Sequence, residues 1–184
     1  NARENYSTGS LSAYDEDLIN TYRYIEFSTV QDYAVTRIGE KNYTDLQAAV
    51  DEVSSDGTIQ LINNFDLTDP VDTKGKSFTL DLNGRTMDGR LSTAINITGG
   101  TLSITDNAAG GGGTITGSST ASMIRLQNAG NLVITGGTLD FKGPTASAIS
   151  HESSGDLVIN GGTVKAATDI QEKRNTRVIS NEGS

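Results

Sequence analysis

Chemistry in this chain would have to rest on carboxylates, because other reactive side chains are scarce: there is one histidine and no cysteine. Asp81, Asp88, Asp140 and Asp156 are the carboxylates at recurring positions. Glycoside hydrolysis needs two carboxyl groups at a set separation across the scissile bond. A calcium-assisted elimination needs clustered carboxylates and a base. Asp88 and Asp140 hold equivalent places in a repeated phrase, with Thr116 at the intervening place. If such places stack, about 9.6 Å separates the two aspartates, the far edge of inverting geometry. The acids therefore read as solvated surface groups.

His151 aligns in the repeat with Ile97 and Leu126, at the end of an apolar column. It reads as a corner histidine with one nitrogen satisfied, and no second metal ligand stands near it. No nucleophile-elbow sequence is present. The run Gly110 to Gly113 lacks the Lys-Ser or Lys-Thr of a phosphate loop. No catalytic residue, metal ligand or cofactor is assigned. The longest insertion, Lys165 to Arg177, carries Asp169, Glu172, Lys173, Arg174 and Arg177. Residues that leave a regular coil gather on one face and often bind, so ligand contact is expected there.

The elements that would position these residues follow from a three-part repeat. A short alternating strand comes first: Leu80-Asp81-Leu82-Asn83, Leu102-Ser103-Ile104-Thr105, Leu132-Val133-Ile134-Thr135 and Leu157-Val158-Ile159-Asn160. A second strand follows a glycine turn, centred on Met87, Ile115, Leu139 and Val164. An apolar pair closes the phrase: Ala94-Ile95, Met123-Ile124, Ala148-Ile149 and Val178-Ile179. The period is about 22 to 30 residues, within the solenoid range. Strands this short bury an apolar face only by stacking on their equivalents. Three columns are predicted: Leu82, Ile104, Ile134 and Ile159; Met87, Ile115, Leu139 and Val164; Ile95, Ile124, Ile149 and Ile179. Three columns imply an all-β, three-sheet parallel β-helix, right-handed by the bias of parallel crossovers. Asn83, Thr105, Thr135 and Asn160 should form a polar ladder along the coil. A β-sandwich would also have short strands, but it does not require equivalent residues to recur in register.

Leu46, Ala49, Val50 and Val53 follow helical spacing, so an N-terminal α-helical cap is predicted over 44–54, with Thr44 and Gln47 as a capping box. Thr58 to Ile62 reads as the first strand of the coil. Residues 1–40 form an N-terminal extension whose Tyr22–Val30 and Tyr33–Ile38 read as strands, either a small hairpin against the coil or the tail of a preceding domain. It has a loose stretch over 1–17 and an aromatic cluster of Tyr22, Tyr24, Phe27 and Tyr33 that reads as a buried seam rather than a ligand platform. The capped β-helix is assigned to 41–184. Its last phrase ends at Ser184 where another strand should begin, so further turns or another domain are expected after it. An open C-terminal turn should fray or associate end to end with a second copy.

The order Ile38-Gly39-Glu40-Lys41-Asn42-Tyr43-Thr44-Asp45-Leu46-Gln47-Ala48-Ala49-Val50, then Gly57-Thr58-Ile59-Gln60-Leu61, then Leu80-Asp81-Leu82-Asn83-Gly84-Arg85-Thr86 resembles the opening of pectate-lyase-like right-handed β-helix modules of bacterial cell-surface proteins. The resemblance covers roughly 38–184. It implies an exported or wall-anchored, adhesin-like binding module that contacts carbohydrate or a host surface protein. A passive stalk and a fragment of a carbohydrate-active lyase or hydrolase stay open beside it, because the fold alone does not settle activity. The net charge of −9 and pI near 4.5 disfavour a nucleic-acid partner. No apolar run approaches the roughly 20 residues of a membrane span, so no membrane insertion is expected.

Overall fold

The structure, a computed structural model, describes residues 33–90, 92–167 and 177–181. The chain enters through a hairpin, β1 (Thr36–Ile38) and β2 (Lys41–Tyr43), and a short helix, α1 (Leu46–Glu52). It then winds through five turns of three strands. The first holds β3 (Gly57–Leu61), β4 (Phe65–Asp66) and β5 (Val71–Asp72), and the second β6 (Phe78–Asp81), β7 (Thr86–Asp88) and β8 (Ile95–Ile97). The third holds β9 (Thr101–Thr105), β10 (Thr114–Gly117) and β11 (Ile124–Leu126). The fourth holds β12 (Asn131–Ile134), β13 (Thr138–Phe141) and β14 (Ser147–His151), and the last β15 (Leu157–Ile159), β16 (Thr163–Ala166) and β17 (Arg177–Asn181). Equivalent strands pair in parallel, giving the three sheets of a β-helix.

Two of the three predicted columns stand as read, each lengthened by one turn. Phe65, Met87, Ile115, Leu139 and Val164 are in register, and so are Val71, Ile95, Ile124, Ile149 and Ile179. The first column is different. Leu80, not Leu82, pairs with Ile104, so the column runs Ile59, Leu80, Ile104, Ile134, Ile159. The polar ladder shifts with it: Asp81, not Asn83, lies beside Thr105. A two-residue slip keeps every side chain on its own face, so the Leu-Asp-Leu alternation fits either register. Phe78, buried opposite Leu102, settles the choice.

Leu82 is nonetheless buried, at the corner after the strand. There the later turns place glycine. A Cβ on Gly113 would lie 2.5 Å from Leu82 Cβ, and one on Gly137 would lie 2.5 Å from Leu82 Cδ1. Gly137 also has φ +79°, a left-handed conformation that other residues adopt at a cost. The Gly-Gly-Thr corners are therefore constrained by both space and backbone.

The helix is shorter than predicted and its cap lies one residue later. Asp45, not Thr44, is the N-cap, and its carboxylate accepts the Ala48 N–H at 2.7 Å. Gln47 has another task. Its amide accepts the Asp72 N–H at 2.8 Å and donates to the Asp72 carbonyl at 3.1 Å, so it pairs with β5 as a neighbouring strand would. Lys76 donates to the Val50, Asp51 and Val53 carbonyls at 2.8, 2.7 and 3.2 Å, satisfying acceptors that the end of a helix leaves open. Leu46, Ala49 and Val50 join the core. β1 lies within the strand expected over Tyr33–Ile38, but its hairpin partner β2 was not foreseen: β1 pairs antiparallel with both β2 and β3, so the first sheet reaches across position 40. Tyr33 is 69% exposed. The predicted strand over 22–30, its aromatic residues and the loose stretch over 1–17 lie outside the described residues.

The columns are dry through the fourth turn, where Ile134, Leu139 and Ile149 are buried. On the last turn Ile159 and Ile179 are 43% and 39% exposed. Ile124 sits midway along its column with no exposed surface. Ile124→Asp would bury an unpaired carboxylate at a cost of several kcal/mol, comparable with the whole stability of a domain. The expected outcome is loss of the cooperative thermal transition, read by circular dichroism, whereas Ile124→Val should melt only a few degrees lower.

Candidate functional site

The four aspartates do not converge. Asp81 is not a solvated acid: it is 3% exposed. One carboxylate oxygen accepts the Asn83 and Asn107 N–H groups, both at 3.0 Å, and the other accepts from the Gln60 amide at 3.0 Å. Arg37 in turn donates to Gln60 at 2.7 Å, which ties the hairpin to the first two turns. Asp81 was missed as a structural group because its strand position faces outward; the Asn83 and Asn107 corners that fold over it are not visible in the alternation.

Asp88 and Asp140 do share one outward column with Thr116 between them, as predicted, and the column continues to Asp66 and Lys165. Their surroundings differ. Asp140 lies 3.7 Å from the Lys142 ammonium and 3.6 Å from that of Lys165. Asp88 accepts the Arg90 N–H at 2.7 Å, while the Arg90 guanidinium is ion-paired with Asp66. Leu67, Thr68, Asp88, Gly89, Arg90, Ser92 and Ser118 line a shallow groove of about 570 Å³ at this place. Asp156 is exposed. His151 aligns with Leu126 as expected, and its Nε2 lies 2.9 Å from the Gly155 carbonyl. The glycine run is held by Asp106, which accepts the Gly113 N–H at 2.7 Å and the Gly84 N–H at 2.8 Å. Asp169, Glu172, Lys173 and Arg174 lie outside the described residues. Arg177 opens β17, and its side chain also lies outside them. Among the described residues no three His, Asp or Glu side chains are grouped to hold a metal ion.

A polar groove on the third sheet escaped the sequence reading. Its floor is the outward column of β11, β14 and β17, where Arg125, Ser150 and Ser180 stand in register. The loops before β11 and β14 form one wall with Thr120, Ala121, Ser122, Thr145 and Ala146, joined by Ser147 at the start of β14. The groove measures about 430 Å³. Across it, Arg125 makes a two-point contact with Glu152: Nη2 donates to Oε2 at 2.9 Å and Nε to Oε1 at 3.3 Å. The Ser150 hydroxyl donates to the same Oε1 at 2.8 Å. Ser122 and Ser147 hydroxyls share a hydrogen bond at 2.9 Å. The signal available in the sequence was the charged residue between two inward ones, Ile124-Arg125-Leu126, one turn before Ser150-His151-Glu152.

Arg125 first, and then the Ser150 hydroxyl, hold the Glu152 carboxyl below its ordinary value. Chemically, the groove offers an array of hydroxyls around one neutralised charge pair. It can exchange hydrogen bonds with a polar ligand along the coil axis. No protein-family model, curated protein or solved structure matches the chain.

Two outcomes follow. Asp81→Ala leaves two main-chain N–H groups without their acceptor and should cost about 1–3 kcal/mol in urea unfolding, with Asp81→Asn intermediate. Glu152 has a depressed folded-state pKa, so its stabilising contribution is present above the ordinary glutamate value of 4.5 and is lost as pH falls through the lower folded value. Its carboxyl carbon should titrate below 4.5 by NMR, and Arg125→Met should bring the midpoint back toward that value.

Proposed function

We propose that the chain is a binding module of a larger bacterial surface protein, built as a pectate-lyase-like right-handed β-helix and working outside the cell, secreted or wall-anchored. Its partners are carbohydrate or a host surface protein. The resemblance carried by residues 38–86 supports the setting, and the parallel three-sheet coil agrees with it. The single observation that carries the binding reading is the Arg125–Glu152 pair, set among hydroxyls in a groove that spans three successive turns. A rigid floor of in-register strands holds these groups without reorganisation, which lowers the entropic cost of capture. A passive stalk would have no use for a walled groove of this kind.

The reading is tested on a glycan and matrix-protein array with the intact chain and with Ala121→Tyr, which fills the groove from an exposed rim position. The expected outcome is binding by the wild type that weakens about tenfold or more in the variant, a loss of ~1.4 kcal/mol, with an unchanged melting transition. Binding that survives the filled groove would place the site elsewhere on the coil, and no binding to any spot would favour the stalk.

A further inference from the structure

Resting on that reading, we infer that the third-sheet groove takes an uncharged, polyhydroxylated chain, a neutral glycan, and excludes acidic polysaccharides built of uronic acids. The argument begins with the cation. Among the described side chains Arg125 is the basic residue of the groove lining, and two of its donors already engage Glu152. A guanidinium fork is the group best matched to a sugar carboxylate. Here an internal carboxylate occupies it. A uronate entering the groove would either displace Glu152 from the Nε–Nη2 edge and give up two charge-assisted hydrogen bonds, or use the remaining Nη donors and set a second carboxylate beside the first. The net charge of −9 adds long-range repulsion against a polyanion.

The remaining chemistry suits a neutral sugar. Ser122, Ser147 and Ser150 line the groove beside Thr120 and Thr145. A hydroxyl both donates and accepts, as sugar hydroxyls do: Ser150 gives its proton to Glu152 and keeps its acceptor side, and Ser122 and Ser147 share one bond and keep capacity for another. A carboxylate has about four acceptor sites. Glu152 uses three of them on Arg125 Nε, Arg125 Nη2 and Ser150, which leaves about one for a ligand hydroxyl. Glu152 thus has two parts: it blocks the anion site of Arg125, and it presents a charged acceptor to a neutral hydroxyl. The strand spacing of about 4.8 Å repeats the polar positions along the coil axis, so an extended oligosaccharide lying along that axis meets Arg125 and then Ser150. Among the described residues no aromatic side chain lines the groove, so each site should bind weakly and depend on several contacts together.

The experiment is an amide NMR titration of the intact chain with short neutral oligosaccharides of glucose, mannose, galactose or xylose, and with oligogalacturonate of matched length. At least one neutral series should shift the amides of Ser122, Arg125 and Ser150, while oligogalacturonate leaves them in place. Glu152→Gln should invert this, weakening the neutral ligand about tenfold and admitting oligogalacturonate to the vacated fork of Arg125. Groove shifts with oligogalacturonate in the wild type, alone or beside the neutral series, would overturn the neutral-ligand inference while leaving the binding module intact. Groove amides that respond to no sugar at saturation would also overturn the neutral-ligand inference, while the matrix-protein arm of the array decides whether the binding reading stands. Both decisions rest on the wild-type chain and stand even if Glu152→Gln folds poorly.

Discussion

Everything in this molecule depends on stacking side chains of equal rank directly over one another. A strand of two to five residues buries too little to survive alone, and each turn contributes only one such strand to each sheet. Burial of a Leu or Ile side chain contributes roughly 1.5–3 kcal/mol, but only where the turns above and below exclude water. Ile124 is dry because Ile95 and Ile149 flank it in register. Ile159 and Ile179, on the last turn, share the same chemistry and are substantially exposed. Stability is thus a property of neighbours, and interior turns hold what a terminal turn cannot.

The same constraint makes the first turn costly, since β3, β4 and β5 have no coil strand before them. Three devices supply partners there. The hairpin strand β1 pairs with β3 in the opposite direction, and β2 closes over β1. The amide of Gln47 satisfies both main-chain groups of Asp72. Lys76, from the loop after β5, reaches back to three carbonyls at the end of α1. The helix and the coil are therefore joined by polar groups that act on main chain, while Leu46, Ala49 and Val50 join them through the core.

Outward columns obey the inward ones. Because equivalent residues stack about 4.8 Å apart, a charge on one turn meets whatever the adjacent turn presents. Asp66, Asp88, Thr116, Asp140 and Lys165 form one such series, and its acids are met by Arg90, Lys142 and Lys165. On the third sheet the corresponding series carries Arg125 and Ser150, with Glu152 just past the strand. Local charge is neutralised between turns in both places, with Thr68, Ser92 and Ser118 beside Arg90 and a longer array, Thr120, Ser122, Thr145, Ser147 and Ser150, beside the third-sheet pair.

The repeat in the sequence determined the fold class and most of the core, because a period-two alternation recurring in register has few other ways to bury itself. The second and third columns were legible residue by residue, and so was the corner position of His151. The register of β6 was not legible, since Leu80 and Leu82 satisfy the same alternation and Phe78 alone breaks the tie. Asp45 displaced Thr44 as the N-cap for a similar reason: both residue types cap helices, and the packing of Leu46 decides where the helix begins. The candidate site was the least legible part. Arg125 and Glu152 are 27 residues apart, and nothing local marks them as partners. Only the winding of the coil, one turn per repeat, brings them within hydrogen-bond distance, and only the folded corners over Asp81 turn an outward aspartate into a buried one.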